Sequence, residues 1–209
     1  MQAVPCCRET LGVKRLLLAT SNPGKVRELR RLLDGCGFDI VTPVDLGFDD
    51  VSVEETGSSY AENAALKARA YARAGGCLAL ADDSGIEVDA MEGRPGLHSA
   101  RYGGEGLSDG ERNAALLREM ATVPPERRTA RYRAVVAIAA PAGGLVLFTG
   151  SQEGRIACKP GGEGGFGYDP IFETPDGRTV AELSPEEKDA VSHRGQAVRA
   201  AADYLRGIA

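Results

Sequence analysis

The sequence has no tryptophan, and only two of its 209 residues are histidines. Because zinc sites are usually built from histidine and cysteine, this shortage favours a metal site of carboxylates and water, which suits Mg²⁺ or Mn²⁺. The five cysteines contain no CxxC motif, and their odd number does not suit a framework of disulfide bonds. Three of them lie in or beside apolar runs. We therefore expect reduced, mostly buried thiols in a cytoplasmic protein.

Positive charge and long apolar segments are also scarce. The formal net charge is -5, which argues against a general nucleic-acid-binding protein, since such a protein needs a basic face to neutralise phosphates. A small phosphorylated ligand stays possible because it needs only a local cluster of cations. The sequence shows no apolar run of about 18 residues and no export signal, so it predicts neither a membrane span nor secretion.

The remaining composition is that of a globular protein. A hydrophobic content of 43% and a charged content of 26% are ordinary values for one substantial core. Residues 1–13, which include Cys6 and Cys7, lack clear periodicity and are predicted to be an N-terminal extension. Residues 14–209 are predicted to form a single domain.

Two adjacent carboxylates mark the stretch that organises the chain, residues 77–90. A short apolar run ends in Asp82, Asp83, Ser84 and Gly85, after which apolar and acidic residues alternate. This pattern predicts a strand, a tight polar turn and a second strand. Carboxylates at the exit of a buried strand need a cation or several donors, so a divalent metal is one candidate partner. A solvated turn is the alternative, because Asp, Ser and Gly are ordinary turn residues.

A strand, a glycine-containing loop and a helix are predicted near the start of the chain. Residues 15–19 read RLLLA, residues 20–25 read TSNPGK, and residues 26–33 have one apolar face. This order directs backbone N–H groups and a helix N-terminus at an anion, with Lys25 as a point charge. Helix capping explains Ser21 and Asn22 but not Lys25, which the positive end of the helix dipole disfavours. The Walker pattern GxxxxGK[ST] is absent, so no P-loop is predicted.

An acidic segment and a helix follow. Residues 45–56 offer four carboxylates that could share a metal with Asp83, and the residues alone do not decide among them; the four are Asp49, Asp50, Glu54 and Glu55. A helix is predicted from Ser58 to about residue 74, with Ser58 or Ser59 as its cap. Glu62, Asn63 and Lys67 lie near one another at helical spacing, and orientation of the site is one interpretation of this group. A surface salt bridge is the favoured interpretation.

Further elements are predicted in the second half of the chain. A helix over residues 109–120 is capped by Ser108, and strands at 134–140 and 145–149 form a hairpin. The arginines between residues 127 and 133 are interpreted as a solvated edge. Helices are also predicted from Pro185, with a capping box between Ser184 and Glu187, and over residues 196–205.

A glycine-rich segment, residues 161–172, carries two of the few aromatic residues, Phe166 and Tyr168. A purine ring stacked on one of them would gain about 1–3 kcal/mol. A turn whose aromatic residues anchor it to the core is an equally good interpretation. Nearer the end, Lys188, His193 and Arg194 form a polar group that could hold a base edge or a phosphate.

Five motifs, in order, resemble those of the noncanonical purine nucleoside triphosphate pyrophosphatases, also called inosine/xanthosine triphosphate pyrophosphatases. The motifs are LLLATSNPGKVRELRRLL, EETGSSYAENAALKA, ALADDSGIEVDAMEGRPGLHSARY, GGFGYDPIF and AELSPEEKDAVSHRGQA. They extend from about residue 16 to residue 205, which is nearly the whole chain. Any one motif alone would be a weak signal, but the ordered set is specific.

The resemblance implies an α/β fold in which a long central mixed sheet is flanked by helices, with a nucleotide cleft between two lobes. It implies that ITP, dITP and XTP are hydrolysed to the monophosphate and pyrophosphate with Mg²⁺, or with Mn²⁺ in its place. It further implies a homodimer. Together with the charge, the cysteines and the lack of long apolar runs, the expectation is a cytoplasmic homodimer that binds neither nucleic acid nor membrane. A related house-cleaning pyrophosphatase with another base preference and a nucleotide-binding module without hydrolysis are the alternatives.

The resemblance also assigns roles to individual residues. Asp83 is the implied proton acceptor, and Glu54 and Asp83 are the implied metal ligands. The residues implied to bind the substrate are Thr20, Ser21, Asn22, Pro23, Gly24, Lys25, Ser84, Phe166, Gly167, Tyr168, Asp169, Lys188, His193 and Arg194. Ser21 stands where many members of the family carry glycine, and His98 receives no role.

Overall fold

A computed structural model describes residues 14–48, 51 and 53–209. The predicted N-terminal extension and two candidate ligands, Asp49 and Asp50, therefore lie outside the described residues. The described part of the chain contains, in order, β1 (Arg15–Leu18), α1 (Pro23–Leu32), β2 (Asp39–Val41), α2 (Tyr60–Gly75), β3 (Leu78–Val88), α3 (Asp109–Glu119), β4 (Thr129–Ala139), β5 (Leu145–Ile156), β6 (Phe172–Glu173), α4 (Pro185–Val191) and α5 (His193–Arg206).

The strands form one mixed sheet in the order β2-β1-β3-β4-β5-β6. β1 runs parallel to both β2 and β3, with Leu17 opposite Val41 on one side and Ala79 on the other. β5 and β6 are antiparallel. The predicted α/β class with a mixed central sheet is confirmed. Among the described residues, no helix has the length and apolar character needed to cross a membrane.

The chain divides into two compact units. The first contains the described residues up to Asp83 together with Val135–Phe148 and Ala197–Ala209, and the second contains Ser84–Ala134 and Thr149–Gln196. The division falls within β3, between Asp83 and Ser84.

Small side chains build the core of the first unit. Ala79 and Ala81 on β3 pack with Ala68 and Tyr71 of α2 in one buried cluster. Alternate residues of a strand share a face, and residues three or four apart share a face of a helix, so these positions form matching stripes. α2 begins where the side chain of Ser59 accepts a hydrogen bond from the backbone N–H of Glu62.

Larger side chains build the core of the second unit. Ile86 on β3, Leu116 and Met120 on and after α3, and Phe172 on β6 are all fully buried in one cluster. α3 starts with a capping box in which Ser108 and Glu111 exchange hydrogen bonds, as the sequence predicts. The helix therefore has a fixed N-terminus and an anchored apolar face.

The predicted polar turn at residues 82–85 is wrong. β3 continues through it from Leu78 to Val88, and both Asp82 and Asp83 are buried. The prediction assumed that the two carboxylates need water around their charges. Here the side chains of Lys25 and Lys67 pair with them inside the fold, so the strand continues. The two predicted strands are consequently one.

Other predictions also differ from the structure. α1 already begins at Pro23 and α5 at His193, so residues assigned to loops lie in first helical turns. The solvated edge predicted between residues 127 and 133 is wrong for Arg128, which is buried and donates hydrogen bonds to the carbonyl oxygens of Met120, Val123 and Ala157. Backbone acceptors inside the fold take the place of water around this guanidinium group.

Candidate active site

Two lysines and three carboxylates of the first unit form what we call the carboxylate–lysine cluster: Lys25, Glu55, Lys67, Asp82 and Asp83. Lys25 Nζ lies 2.7 Å from Asp82 Oδ2. Lys67 Nζ lies 3.1 Å from Asp83 Oδ1 and 2.9 Å from Glu55 Oε1, and it also donates to the backbone oxygen of Asp82 at 3.1 Å.

The alternation of β3 explains this arrangement. Ala79, Ala81 and Asp83 share one face of the strand, and α2 covers the two alanines. Asp83 therefore meets Lys67, which lies on the same stripe of α2 as Ala64 and Tyr71, at helical spacings of three and four residues. Asp82 points to the other face, where Lys25 in the first turn of α1 meets it.

The environment of Asp83 changes its acidity. Burial raises the pKa of this carboxyl above its ordinary value and the nearby charge of Glu55 adds to the rise, while Lys67 opposes it. Burial tends to lower the pKa of Lys67, but the charges of Asp83 and Glu55 outweigh that effect and raise it. Lys67 is therefore a permanent cation, and Asp83 is a stronger base than a solvated aspartate.

The donor set of this cluster suits Mg²⁺ better than zinc. Within the described residues, no group of three or more His, Cys, Asp or Glu side chains is arranged to hold a metal. Mg²⁺ in nucleotide sites is usually bound by one or two carboxylates, with water and phosphate oxygens completing the shell. Asp83 with one neighbouring carboxylate fits that pattern. Glu54 is exposed and Glu55 contacts Lys67, so the assignment of Glu54 as a ligand stays a prediction.

The segment before α1 has the features of an anion-binding helix start. The side chain of Asn22 accepts from the backbone N–H of Lys25 at 3.1 Å, and Thr20 Oγ1 accepts from the N–H of Asn22 at 3.2 Å. Pro23 occupies the first helical position, and the first turn contains no acidic side chain. Ser21 is exposed and Gly24 is buried. Helix N-termini favour anions because first-turn N–H groups lack intrahelical partners. Here Pro23 has no N–H and Asn22 takes the N–H of Lys25, so the N–H of Gly24 and the ammonium group of Lys25 are the donors suited to a phosphate.

The second unit contains an aromatic residue among cations, which we call the aromatic–cation cluster: Ser84, Phe166, Asp169, Lys188 and Arg194. Lys188 Nζ lies 4.7 Å from the centroid of the Phe166 ring, and the guanidinium carbon of Arg194 lies 5.4 Å from it. Lys188 Nζ is also 2.5 Å from Asp169 Oδ2. Arg194 donates to Ser84 Oγ at 2.9 Å.

Buried polar contacts hold this cluster in one arrangement. Asp169 Oδ2 accepts from the backbone N–H of Phe166 at 2.8 Å. The His193 ring stacks on Tyr132 with centroids 4.5 Å apart, and Tyr168 donates to the carbonyl oxygen of Ser99 at 2.8 Å. Lys188 and Arg194 are only 6% and 3% exposed. The two buried cations of this cluster bring several hydrogen-bond donors close to the Phe166 ring.

The structure thus divides the predicted site residues between two groups. Lys25 and Asp83 lie in the carboxylate–lysine cluster, and the segment from Thr20 to Gly24 immediately precedes Lys25 at the start of α1. The predicted residues in or beside the aromatic–cation cluster are Ser84, Phe166, Gly167, Tyr168, Asp169, Lys188, His193 and Arg194.

The sequence interpretation missed the position of Lys67. The favoured interpretation, a surface salt bridge, is wrong, because the ammonium group of Lys67 joins Glu55 and Asp83 and its side chain is only 13% exposed. The signal was present, since a lysine at this position lies on the apolar stripe of α2 rather than on its solvent face.

The sequence and the α/β fold of this chain are both similar to those of one protein family. The model of the Ham1 family matches residues 16–204 of this chain. The solved HAM1 protein of Coxiella burnetii has a TM-score of 0.83 at 38% identity, covering 93% of this chain and 100% of that one. The chain therefore belongs to the Ham1 family.

Relatives with more specific names are also similar. The dITP/XTP pyrophosphatase of Symbiobacterium thermophilum is 55% identical over 198 residues, covering 95% of this chain and 98% of that protein. The dITP/XTP pyrophosphatase of Shigella flexneri is 49% identical, with coverages of 93% and 99%. The solved nucleoside-triphosphatase or dITP/XTP pyrophosphatase of Mycobacterium abscessus has a TM-score of 0.71 at 44% identity, with coverages of 90% and 98%.

Proposed function

We propose that this protein hydrolyses the noncanonical purine nucleoside triphosphates dITP, ITP and XTP to the nucleoside monophosphate and pyrophosphate. The observation that carries the proposal is the carboxylate–lysine cluster, in which Lys67 contacts the buried Asp83, and Lys25, in the first turn of α1, contacts the buried Asp82. Relatives about half identical over nearly the whole chain bear the name dITP/XTP pyrophosphatase.

The carboxylates would hold Mg²⁺, or Mn²⁺ in its place. Asp83 is one ligand in this proposal, and Glu54 or its neighbour Glu55 is the second. The ion, when bound, neutralises triphosphate charge and makes a bound water more acidic.

The chain's own residues supply the remaining chemistry. Asp83 accepts the proton of the attacking water. Lys25 and the N–H of Gly24, at the positive end of the α1 dipole, stabilise the negative charge of the phosphates and of the pyrophosphate as it leaves. No serine or cysteine nucleophile is needed, so no covalent intermediate is expected.

The aromatic–cation cluster would recognise the base. Phe166 offers a ring face for stacking, and Lys188 and Arg194 offer donors to the 6-oxo group that hypoxanthine and xanthine carry. The 6-amino group of adenine would direct its own donors at these cations, and a buried donor without an acceptor is costly. Discrimination against ATP follows from this mismatch.

Product identity tests the proposal. Purified protein is incubated with Mg²⁺ and, in separate reactions, with ITP, XTP, ATP or GTP, and pyrophosphate and orthophosphate are measured in parallel. Pyrophosphate from ITP or XTP with little from ATP is the expected result. Orthophosphate from every nucleotide would indicate a general phosphatase, and binding without product would indicate a nucleotide-binding module. Release of pyrophosphate from modified pyrimidine nucleotides instead would indicate a related house-cleaning enzyme.

Two substitutions test the assigned roles. Asp83→Asn should abolish turnover while nucleotide binding persists, because the amide cannot accept the proton. Lys25→Ala should raise KM and lower kcat, because it removes a charge that the phosphates contact. Asp203→Asn is the matched control, since Asp203 is exposed and pairs with Arg206. Wild-type rates in Asp83→Asn would exclude it as the proton acceptor.

A homodimer is proposed on the resemblance of the motifs, and a cytoplasmic location on the cysteine content. Sedimentation equilibrium of the purified protein tests the dimer, with a mass of twice 21.9 kDa expected. A monomer mass at micromolar concentration would contradict it.

A further inference from the structure

One residue of the loop that carries Phe166 is held at both of its backbone polar groups. The N–H of Gly167 donates to Asp109 Oδ2 at 2.6 Å. Asn113 Nδ2 donates to the carbonyl oxygen of the same glycine at 3.0 Å. Neither Asp109 nor Asn113 belongs to the five motifs of the resemblance, and we call this pair the Gly167 clamp.

The clamp is built on a rigid element. Asp109 and Asn113 are four residues apart, so they lie on one face of α3 in successive turns. The capping box of Ser108 and Glu111 fixes the start of this helix, and Leu116 is completely buried. The positions of both side chains are therefore set by the core of the second unit.

Gly167 needs such a clamp. Its φ of 64° lies in the left-handed region, which glycine enters readily but also leaves readily because it has no side chain to restrict it. Two side-chain hydrogen bonds to a single glycine select one of its many backbone conformations. The direction of the neighbouring Phe166 ring depends on that selection.

Asn113 is poorly explained as a purely stabilising residue. It is 4% exposed, and within the described residues its Oδ1 has no hydrogen-bond partner. A buried polar atom without a partner is unfavourable, and an apolar side chain of similar size would avoid that cost. What the amide provides is the donor to Gly167.

We infer that Asp109 and Asn113 are positioning residues for base recognition, which hold the Gly167 peptide so that Phe166 stays fixed beside Lys188 and Arg194. This inference rests on the proposed function, since it assigns the base to the Phe166 ring. The two residues act through the loop and touch no reacting atom. Their loss should therefore change the binding of the base more than the chemistry at phosphorus.

Four variants test the clamp. Asp109→Ala removes the acceptor, and Asn113→Asp keeps the volume but replaces the donor with an acceptor that faces the Gly167 carbonyl. Each should raise the KM for ITP about tenfold while kcat changes less than about twofold, since a lost hydrogen bond to a binding loop has this order of effect. Asp109→Asn keeps an acceptor oxygen and should restore near wild-type KM. Glu111→Ala, which weakens the same helix start without contacting Gly167, is the matched control.

Amide hydrogen exchange at Gly167 gives a readout that does not depend on turnover. Exchange should accelerate at least about tenfold in Asp109→Ala and stay near the wild-type rate in Asp109→Asn and Glu111→Ala. Equal KM increases in Glu111→Ala and Asp109→Ala would mean that the effect comes from the stability of α3, which would overturn the inference. An unchanged KM in both Asp109→Ala and Asn113→Asp would also overturn it. If wild-type protein releases no pyrophosphate from ITP, the proposed function fails instead, and unchanged exchange at Gly167 would then overturn the clamp separately.

Discussion

Replacing Lys67 by methionine should destabilise the protein, and Mg²⁺ should restore much of the loss. The ammonium group joins Asp83 and Glu55, whose side chains are 12% and 30% exposed. Removing one partner of a fully buried ion pair costs about 3–5 kcal/mol. Because solvent reaches Glu55, we expect a smaller loss in the free energy of unfolding, about 2–3 kcal/mol. For a chain of this size that loss lowers Tm by about 4–12 °C.

The effect of Mg²⁺ makes this prediction specific. In the wild-type protein the ion has to enter a cluster whose carboxylates already contact Lys67, whereas in Lys67→Met these carboxylates lack that cation. A ligand that binds only the folded state at 100 times its Kd adds about 2.7 kcal/mol. Titration with Mg²⁺ should therefore raise Tm more in Lys67→Met than in the wild-type protein.

Thermal unfolding followed by circular dichroism, with EDTA or with increasing MgCl₂, measures both effects. Lys159→Met is the control because Lys159 is an exposed lysine. A Lys67→Met protein that is as stable as the wild type in EDTA would refute the contribution of the ion pair. An equal or smaller response to Mg²⁺ in the variant would refute the placement of the metal at these carboxylates.

Three further predictions concern stability. Arg128→Met should lower the free energy of unfolding by at least about 3 kcal/mol, because it removes three hydrogen bonds that the buried guanidinium group donates to backbone carbonyl oxygens. Urea denaturation measures the change, and a loss below about 1 kcal/mol would contradict the buried network. Lys188→Met should cost about 3–5 kcal/mol by leaving Asp169 buried without its ammonium partner, and adding Asp169→Asn should recover part of that loss if the ion pair is its cause. Hydrogen bonds from Thr174 and Arg178 lower the pKa of Asp176 from 3.8 to about 2. The ionised carboxylate therefore stabilises the folded protein above the pKa that Asp176 has in the unfolded chain, and this stabilisation disappears as the pH falls through its pKa in the folded protein. Asp176→Asn should therefore be less stable than wild type at pH 5, with a difference that shrinks toward pH 2, and a constant difference in acid titrations would contradict this.

Local sequence signals were sufficient for most of the elements. The caps at Ser59, Ser108 and Ser184 mark helix starts through hydrogen bonds within four residues of chain, so they can be read without knowing the fold. The apolar runs that became β1 and the hairpin of β4 and β5 are likewise short-range patterns. The ordered motifs added the family and the expected site residues.

The continuity of β3 depended on distant residues. Asp82 and Asp83 look like a turn because, taken alone, adjacent carboxylates require solvent. They stay in the strand because Lys25, 57 positions before Asp82, and Lys67 provide positive charge inside the fold. A local reading of the chain contains no information about that compensation.

The sequence by itself determined the class of fold, the helix starts and the residue types that phosphate and metal chemistry need. Only the tertiary structure decided which of these charged residues meet: that Glu55 contacts Lys67, that Arg128 is buried, and that Asp109 and Asn113 hold Gly167. The physical reason is the separation along the chain over which each kind of interaction acts. Capping and periodicity act over a few residues, whereas the pairing of charges is fixed by packing between elements far apart in the chain.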